Sequence, residues 1–220
     1  REPAGPVPPP AAHTEPYLRR LSRILRQDHN YRRFMLSRIL ITLGEMASGF
    51  VALYAATRFR LSDQVAGQFT AAYVIGRLAA TLLLGWLSDR RGAKVTLELS
   101  VLIGALAMAV ALLAPSAAWF NLVFALQGAA LEGIFLAGLV IILEFCPPEV
   151  RPTYIGLSNT AIGVFAVLAP LLGGAIVGVA GYAALFAVAL ALRLGGGLVL
   201  HRWVREPRMV AEGVANQGSS

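Results

Sequence analysis

The chain has 220 residues, of which 57% are hydrophobic and only 14% are charged, and its mean hydropathy is +0.66. This composition is too apolar for an ordinary soluble domain and is typical of a protein with several membrane spans. The net charge of +7 arises mainly in the leading segment, one loop and the tail, a distribution that indicates membrane orientation rather than nucleic-acid binding. The single Cys excludes an intrachain disulfide and a multi-cysteine metal site.

Residues 1–33 are predicted to lie outside the membrane. Residues 1–16 are rich in Pro and Ala, cannot form a core and are expected to be a disordered linker. In residues 17–30 the leucines and Ile24 fall on one helical face among several arginines. This pattern fits either a basic amphipathic helix on an anionic membrane surface or a solvated linker helix. The chain begins without Met and no signal peptide is visible, so we expect either a fragment or a processed piece of a longer protein.

Six apolar runs follow, each close to the ~20 residues that cross a bilayer. They are predicted at residues 34–57, 65–87, 95–114, 119–145, 153–180 and 182–203. The short connectors at 115–118 and Gly181 force neighbouring spans to be antiparallel. The sequence therefore predicts an all-α membrane protein, with a six-helix transmembrane domain at 34–203 and a tail at 204–220.

The basic residues predict the orientation of these spans. The loops on one side hold only Arg58 and Arg60, whereas the other side holds most of the remaining Arg and the single Lys. Since cationic loops stay inside the cell, the second side is predicted to be cytoplasmic. We therefore expect a multi-pass protein of the plasma membrane, with both ends of this chain in the cytoplasm.

Residues 85–97, between the second and third spans, read Gly-Trp-Leu-Ser-Asp-Arg-Arg-Gly-Ala-Lys-Val-Thr-Leu. Gly85 permits close helix approach, Asp89 offers an acceptor, and Gly92 allows a sharp reversal. This loop resembles the signature loop of the major facilitator superfamily, Gly-x-Leu-x-Asp-Arg-x-Gly-x-Lys, although Ala93 stands where a second basic residue is common.

Three other segments are similar to elements of the same family. Glu144 and Arg151 match a Glu-x6-Arg element, with Pro152 in place of the usual Gly. Residues 170–174 resemble a Pro-x-x-Gly-Gly helix break, formed here by Pro170, Gly173 and Gly174. Residues 204–208 look like the tail after a last helix.

The resemblance covers residues 34–208 and implies the carboxy-terminal half of a twelve-helix transporter, built from two inverted three-helix repeats. Such a half rocks against an amino-terminal half, its expected partner, to move a small-molecule substrate by alternating access. The resemblance also implies a cytoplasmic gate in which the loop aspartate holds a helix end of the other half; the alternative is a set of topology anchors. The gate candidates are Gly85, Asp89, Arg90, Arg91, Gly92, Lys94, Glu144 and Arg151.

Ionisable residues in the middle of a span are costly and are functional candidates. Glu45, Arg77, Glu132 and Arg193 hold such positions, and polar stripes extend along the first two spans. The resemblance places the first and fourth spans at the central pathway. The candidates for cavity or coupling residues are Arg38, Glu45, Tyr73, Arg77 and Glu132.

Three roles remain open for these charges. Glu45 or Glu132 takes up a proton while Arg77 acts as a movable partner, the charges contact the substrate, or they form fixed ion pairs. Arg193 either turns inwards to an acid, or the helix breaks at residues 195–197 and the span is misplaced. Pro170 should kink the fifth span.

The function predicted from the sequence is proton-coupled transport of a small solute, with a weak preference for export. A membrane-embedded enzyme is disfavoured because the Asp or His clusters that would hold a metal and a phosphate are not seen in the sequence. A six-helix interaction protein is disfavoured because the Pro-rich stretch and Arg-rich segment are typical of a linker between two halves. No enzyme activity, cofactor, metal or nucleic-acid partner is expected.

Overall fold

The computed structural model describes residues 28–61, 63–145 and 151–205, with only the backbone described at residues 63 and 64. Within these ranges the chain forms six α-helices and no strand. The helices are α1 (His29–Gly44), α2 (Ser48–Phe59), α3 (Asp63–Arg91), α4 (Ala93–Leu113), α5 (Trp119–Glu144) and α6 (Arg151–Trp203). A 3-10 turn, Glu45–Ala47, joins α1 to α2, so that the two form one first span. The predicted linker and amphipathic segment in residues 1–27, and the tail beyond Arg205, lie outside the described residues.

The first helix begins at His29, five residues before the predicted start of the span. Asp28 is its N-cap, and its side chain accepts a hydrogen bond from the backbone N–H of Tyr31 at 2.8 Å. Because this cap satisfies a free donor of the first turn, residues 29–33 belong to α1 rather than to the leading segment. The first helix thus extends ahead of the predicted span, and the domain boundary at residue 33 stays a prediction.

Helix α6 contains the predicted fifth and sixth spans. Its 53 residues are more than twice the ~20 needed for one crossing. Gly181 has φ 81° and ψ 177° and is the one residue of α6 with non-helical backbone angles. It divides α6 into a first limb, residues 151–180, and a second limb, residues 182–203. A Cβ on Gly173 would lie 3.5 Å from Leu185 Cδ1, so the second limb folds back against the first, as predicted.

The predicted helix break at Pro170, Gly173 and Gly174 is wrong. The backbone stays helical through all three residues. A proline inside a helix removes one backbone hydrogen bond and crowds the carbonyl four residues earlier. Close packing offsets this cost here, since Gly173 lies against the carbonyl of Met46 and the ring of Phe50. The reversal of the chain occurs at Gly181 instead.

One end of the bundle gathers most of the described basic residues. Asn30 and Arg205 exchange hydrogen bonds of 2.8 and 3.1 Å between the start of α1 and the end of α6. Lys94, after the turn between α3 and α4, donates to the carbonyl of His201 at 3.4 Å. We call this end the basic face; it carries Arg32, Arg33, Arg90, Arg91, Lys94, Arg151, Arg202 and Arg205. The turn after α2, at the other end, carries Arg58 and Arg60.

The turn between α3 and α4 consists of one residue, Gly92. Its φ of 89° lies in a region that side chains disfavour, and its N–H donates to the carbonyl of Ser88 at 3.0 Å. The predicted sharp reversal at Gly92 is confirmed.

Glycines allow close packing at the interfaces that position the site. Gly196 of α6 lies against Ile41 and the carbonyl of Ser37 in α1, and Gly76 of α3 lies against the backbone of Ala125 in α5. Helix α1 thus packs on both limbs of α6, whereas α5 packs on α3 and α4. These interfaces bring the ionisable groups of α1 and α6, and of α3 and α5, into contact.

Candidate functional site

Glu45 pairs with Arg193 inside the bundle. Glu45 lies where α1 gives way to the 3-10 turn, and its Oε2 is 2.9 Å from Arg193 Nη2. Ser48 donates its hydroxyl to the same oxygen at 2.8 Å, and Arg193 Nε donates to the carbonyl of Gly44 at 3.3 Å. The side chain of Arg193 is only 1% exposed. The inward orientation proposed for Arg193 is therefore confirmed, and the helix continues through residues 195–197.

Two glycines make the space for Arg193. A Cβ on Gly44 would lie 2.7 Å from Arg193 Cγ, and a Cβ on Gly104 of α4 would overlap its guanidinium. The guanidinium thus passes between α1 and α4 to reach the carboxylate. Neither glycine was among the predicted site residues, because a glycine in an apolar helix more often indicates simple helix packing.

Arg77 pairs with Glu132 at the other helix interface. Arg77 Nε and Nη2 both donate to Glu132 Oε2, at 2.9 and 2.6 Å. The Arg77 side chain is 48% exposed and that of Glu132 is 12% exposed. This second pair therefore lies at the surface of the six-helix unit, joining α3 to α5.

A cavity of about 300 Å³ lies between α1, α5 and the first limb of α6. We call it the Arg38 cavity. Its polar lining consists of Arg38, Thr42 and Glu45. Its apolar lining consists of Ile41, Leu131, Ile134, Phe135, Ile162, Ala166, Ala169 and Pro170.

The structure divides the five predicted cavity residues. Arg38 and Glu45 line the Arg38 cavity, whereas Tyr73, Arg77 and Glu132 are not among its described lining residues. Tyr73 is half-buried, and its backbone packs against Gly128. The apolar wall was missed because cavity-facing and lipid-facing apolar side chains look alike in a sequence. Pro170 lines the cavity, although it does not break the helix.

Arg38 is the more enclosed of the two charged groups of the cavity. Its exposure is only 9%, and its Nη1 donates to the carbonyl of Ile134 at 3.3 Å. The guanidinium lies on Gly138, where a Cβ would be 3.0 Å from its Cζ and Nη2 atoms. Arg38 makes no ion pair with a described residue, and its buried Nε has no hydrogen-bond partner among them.

The predicted gate residues occupy the basic face. Asp89 is exposed and has no hydrogen-bond or ion-pair partner among the described residues. Arg90 lies 4.5 Å above the ring of Trp86, and Lys94 is 3.6 Å from Glu98. Gly85 is half-buried and Arg91 is exposed.

The other two gate candidates flank residues that the structure does not describe. Glu144 ends α5 and Arg151 begins α6, with residues 146–150 between them. Glu144 is partly buried and Arg151 is exposed. The role predicted for this element stays a prediction.

Comparison with known families identifies the fold. The family described as Major Facilitator Superfamily matches residues 34–219. The chain belongs to the major facilitator superfamily. The predicted resemblance and the all-α membrane fold are confirmed, and five apolar helical stretches, the last of which reverses at Gly181, account for the six predicted spans.

Curated relatives of this superfamily chain carry transporter names. An MFS-type transporter of Claviceps purpurea is 32% identical over 109 residues, which are 50% of this chain and 19% of that protein. The efflux pump aflT of Aspergillus parasiticus is 33% identical over 116 residues, 53% of this chain and 22% of that protein. The rubrofusarin-specific efflux pump aurT of Gibberella zeae is 28% identical over 107 residues, 49% of this chain and 20% of that protein. The matched segment is thus about a fifth of each relative.

Proposed function

We propose that this superfamily chain forms one six-helix half of a membrane transporter that moves a small solute by alternating access. The observation that carries the proposal is the Arg38 cavity, which places Arg38 and Glu45 beside an apolar wall within the span region. Ionisable groups at this depth are retained where they face a pathway or a partner. The transporter names of the relatives support the same function.

The other half of the pathway is supplied by a second six-helix unit, which we propose is the amino-terminal half of the same transporter. The basic face lies on the cytoplasmic side of the plasma membrane, as the positive-inside rule predicts for cationic loops. Rocking of the two halves then opens the cavity first to one side and then to the other. The efflux pumps among the relatives support export as the direction.

Cysteine labelling tests alternating access without knowledge of the substrate. Ala166 lines the Arg38 cavity and is exposed. We propose introducing Ala166→Cys into a Cys146→Ser background of the full-length protein, in right-side-out and inverted vesicles, and measuring its reaction with a membrane-impermeant maleimide. The matched control is Leu106→Cys, because Leu106 is 52% exposed on α4 and does not line the cavity.

We expect the cysteine at 166 to react in both vesicle orientations and the cysteine at 106, which faces lipid, to react in neither. A cysteine at 166 that no aqueous reagent reaches from either side would contradict the proposal. Equal labelling at both positions would also contradict it, since the cavity would then be no wetter than the lipid-facing surface.

We further propose that Glu132 couples transport to protons. A carboxylate held by a guanidinium stays ionised, whereas protonation frees the two groups from each other. Arg77 is half-exposed and can leave Glu132 without crossing the packed core. Because a thiol itself reacts faster with maleimide as pH rises, the reaction of the cysteine at 166 is divided by that of the same cysteine in the denatured protein at each pH. This ratio should depend on pH in the parent protein. Glu132→Gln should remove that dependence, whereas an unchanged pH profile would contradict the coupling role.

We also propose that Asp89 is part of a cytoplasmic gate. Its exposed carboxylate is available to accept hydrogen bonds from the other half, where charge-assisted bonds are strong. Asp89→Asn should raise labelling of the cysteine at 166 from the cytoplasmic side while leaving insertion and orientation intact. Arg60→Gln, a charge change at the opposite end, should not. Identical labelling in Asp89→Asn and the parent would contradict the gate and would leave Asp89 as a residue that only fixes the topology.

A further inference from the structure

We propose that the Arg38 cavity binds a small amphipathic monoanion, with its carboxylate on Arg38 and its apolar body against Leu131, Phe135 and Ile162. This inference rests on the proposed function and names the substrate class of the same site. It depends on three observations: an unbalanced buried charge, an unpartnered donor and an apolar wall of limited size.

The unbalanced charge is that of Arg38. Glu45 is paired with Arg193, and Glu132 is paired with Arg77. Glu45 also lies close enough to Arg38 to attract it, so one carboxylate serves two guanidinium groups, and the cluster of Arg38, Glu45 and Arg193 keeps one positive charge in excess among the described residues. Burial of an unpaired charge is costly, and the cost is relieved when an opposite charge binds. A single negative charge balances the site, which favours a carboxylate over a doubly charged phosphate.

The donor geometry of Arg38 suits a carboxylate. A guanidinium carries five N–H donors in one plane and binds a carboxylate through two parallel hydrogen bonds. Among the described residues, only Nη1 has a carbonyl partner, on Ile134, and Nε is buried without a partner. The flat surface of Gly138 supports the guanidinium from below, so its orientation is fixed before a ligand arrives.

The rest of the cavity offers an apolar surface to a small molecule. About 300 Å³ lies at the lower end of the ~300–1,000 Å³ typical of small-molecule sites. Phe135 is 66% exposed and Leu131 39% exposed in this chain, which leaves both side chains free to contact a ring or an aliphatic body. Glu45 Oε1 is buried without a hydrogen-bond partner in the part of the chain that the structure describes, and it can accept a hydrogen bond from a ligand hydroxyl.

Matched pairs of probes test the charge of the ligand. We would measure binding of 2-naphthoate and 2-naphthamide, and of benzoate and benzamide, to the purified full-length protein in lipid nanodiscs by titration calorimetry. Each amide has nearly the shape of its acid but no charge. We expect at least one acid to bind about tenfold or more tightly than its amide, because a site built for a charged acceptor rejects the analogue that lacks it. If neither acid binds more tightly than its amide, the proposal is overturned.

Two variants assign the preference to Arg38. In Arg38→Gln, each acid should bind no more tightly than its amide, so that the ratio of acid affinity to amide affinity falls to about one. Gly138→Ala should reduce it about tenfold, because the added Cβ would lie 3.0 Å from the guanidinium and displace it. Gly163→Ala is the matched control, since a Cβ there meets nothing within 4 Å, and it should keep the full ratio. A ratio that survives both Arg38→Gln and Gly138→Ala would place the anion elsewhere and overturn the inference.

Labelling of the cysteine at 166 separates this inference from the proposed function. If that cysteine is reached from both sides but neither acid is preferred, transport stands and the substrate class is wrong. If an acid is preferred but the cysteine is reached from one side only, the anion site stands and alternating access is wrong.

Discussion

The two ion pairs of the bundle share the same chemistry but differ in their surroundings. Arg193 crosses the packed interior with a side chain that is 1% exposed, and it passes Gly44 and Gly104 on the way to Glu45. Arg77 reaches Glu132 from the surface of α3, with 48% of its side chain exposed. The first arginine is enclosed on every side, whereas the second can swing away. This difference is the basis for our proposal of a fixed clamp in the Arg193–Glu45 pair and a movable partner in the Arg77–Glu132 pair.

Removal of the enclosed arginine should have the largest effect on stability. Arg193→Leu removes the guanidinium in contact with the Glu45 carboxylate and leaves only Arg38, which makes no ion pair with it, near this charge. Breaking a buried ion pair by removing one partner costs about 3–5 kcal/mol. We therefore expect a large fall in the free energy of unfolding, measured by chemical denaturation in detergent. The variant should also lose its monodisperse peak in size-exclusion chromatography.

The double variant Arg193→Leu/Glu45→Gln sharpens this test. Because it removes both charges, it should recover a large part of the lost stability. If Arg193→Leu is as stable as the parent protein, or if the double variant is no better than the single one, the clamp interpretation fails.

Filling the space beside Arg193 should have an intermediate effect. Gly104→Ala places a Cβ on the guanidinium, so that Arg193 must shift away from Glu45. Overpacking of this kind costs about 1–3 kcal/mol. We expect a lower thermal midpoint for Gly104→Ala, measured by a thiol-reactive or intrinsic-fluorescence melt.

Gly195→Ala is the control for that substitution. A Cβ on Gly195 meets nothing within 4 Å, and replacement of glycine by alanine in a helix is by itself favourable by about 1 kcal/mol. Gly195→Ala should therefore be neutral or stabilising. Equal loss of stability in both variants would show that the effect is not specific to Arg193.

The sequence predicted the helices better than the contacts between them. Span positions follow from apolar length, and the Gly92 reversal follows from local chemistry, so both agree with the structure. The partner of Arg193 was left open, because a contact between residues 45 and 193 depends on how α1 packs on α6. The break predicted at Pro170 was wrong because Gly173 packs against Met46 and Phe50, and this contact stabilises the helical backbone.

The candidate site was predictable only in its charged part. Glu45 and Arg38 stand out in an apolar helix, since ionisable residues are costly in a membrane. Phe135 and Leu131 do not, because their apolar side chains are ordinary in a span. The sequence likewise could not show that Arg77 and Glu132 lie outside the lining of the Arg38 cavity, because their position depends on how α3 packs on α5.

The smallest effect on stability is expected for the half-exposed pair. Arg77→Gln removes the same charge as Arg193→Gln, but solvent and neighbouring groups can compensate Glu132, and exposed ion pairs contribute little. The thermal midpoint of Arg77→Gln should therefore stay close to that of the parent protein, whereas Arg193→Gln should lower it clearly. If Arg77→Gln destabilises the protein as much as Arg193→Gln, then Arg77 is a second fixed clamp. In that case a movable Arg77 could not release Glu132, and the proton-coupling role would have to be given to another acid.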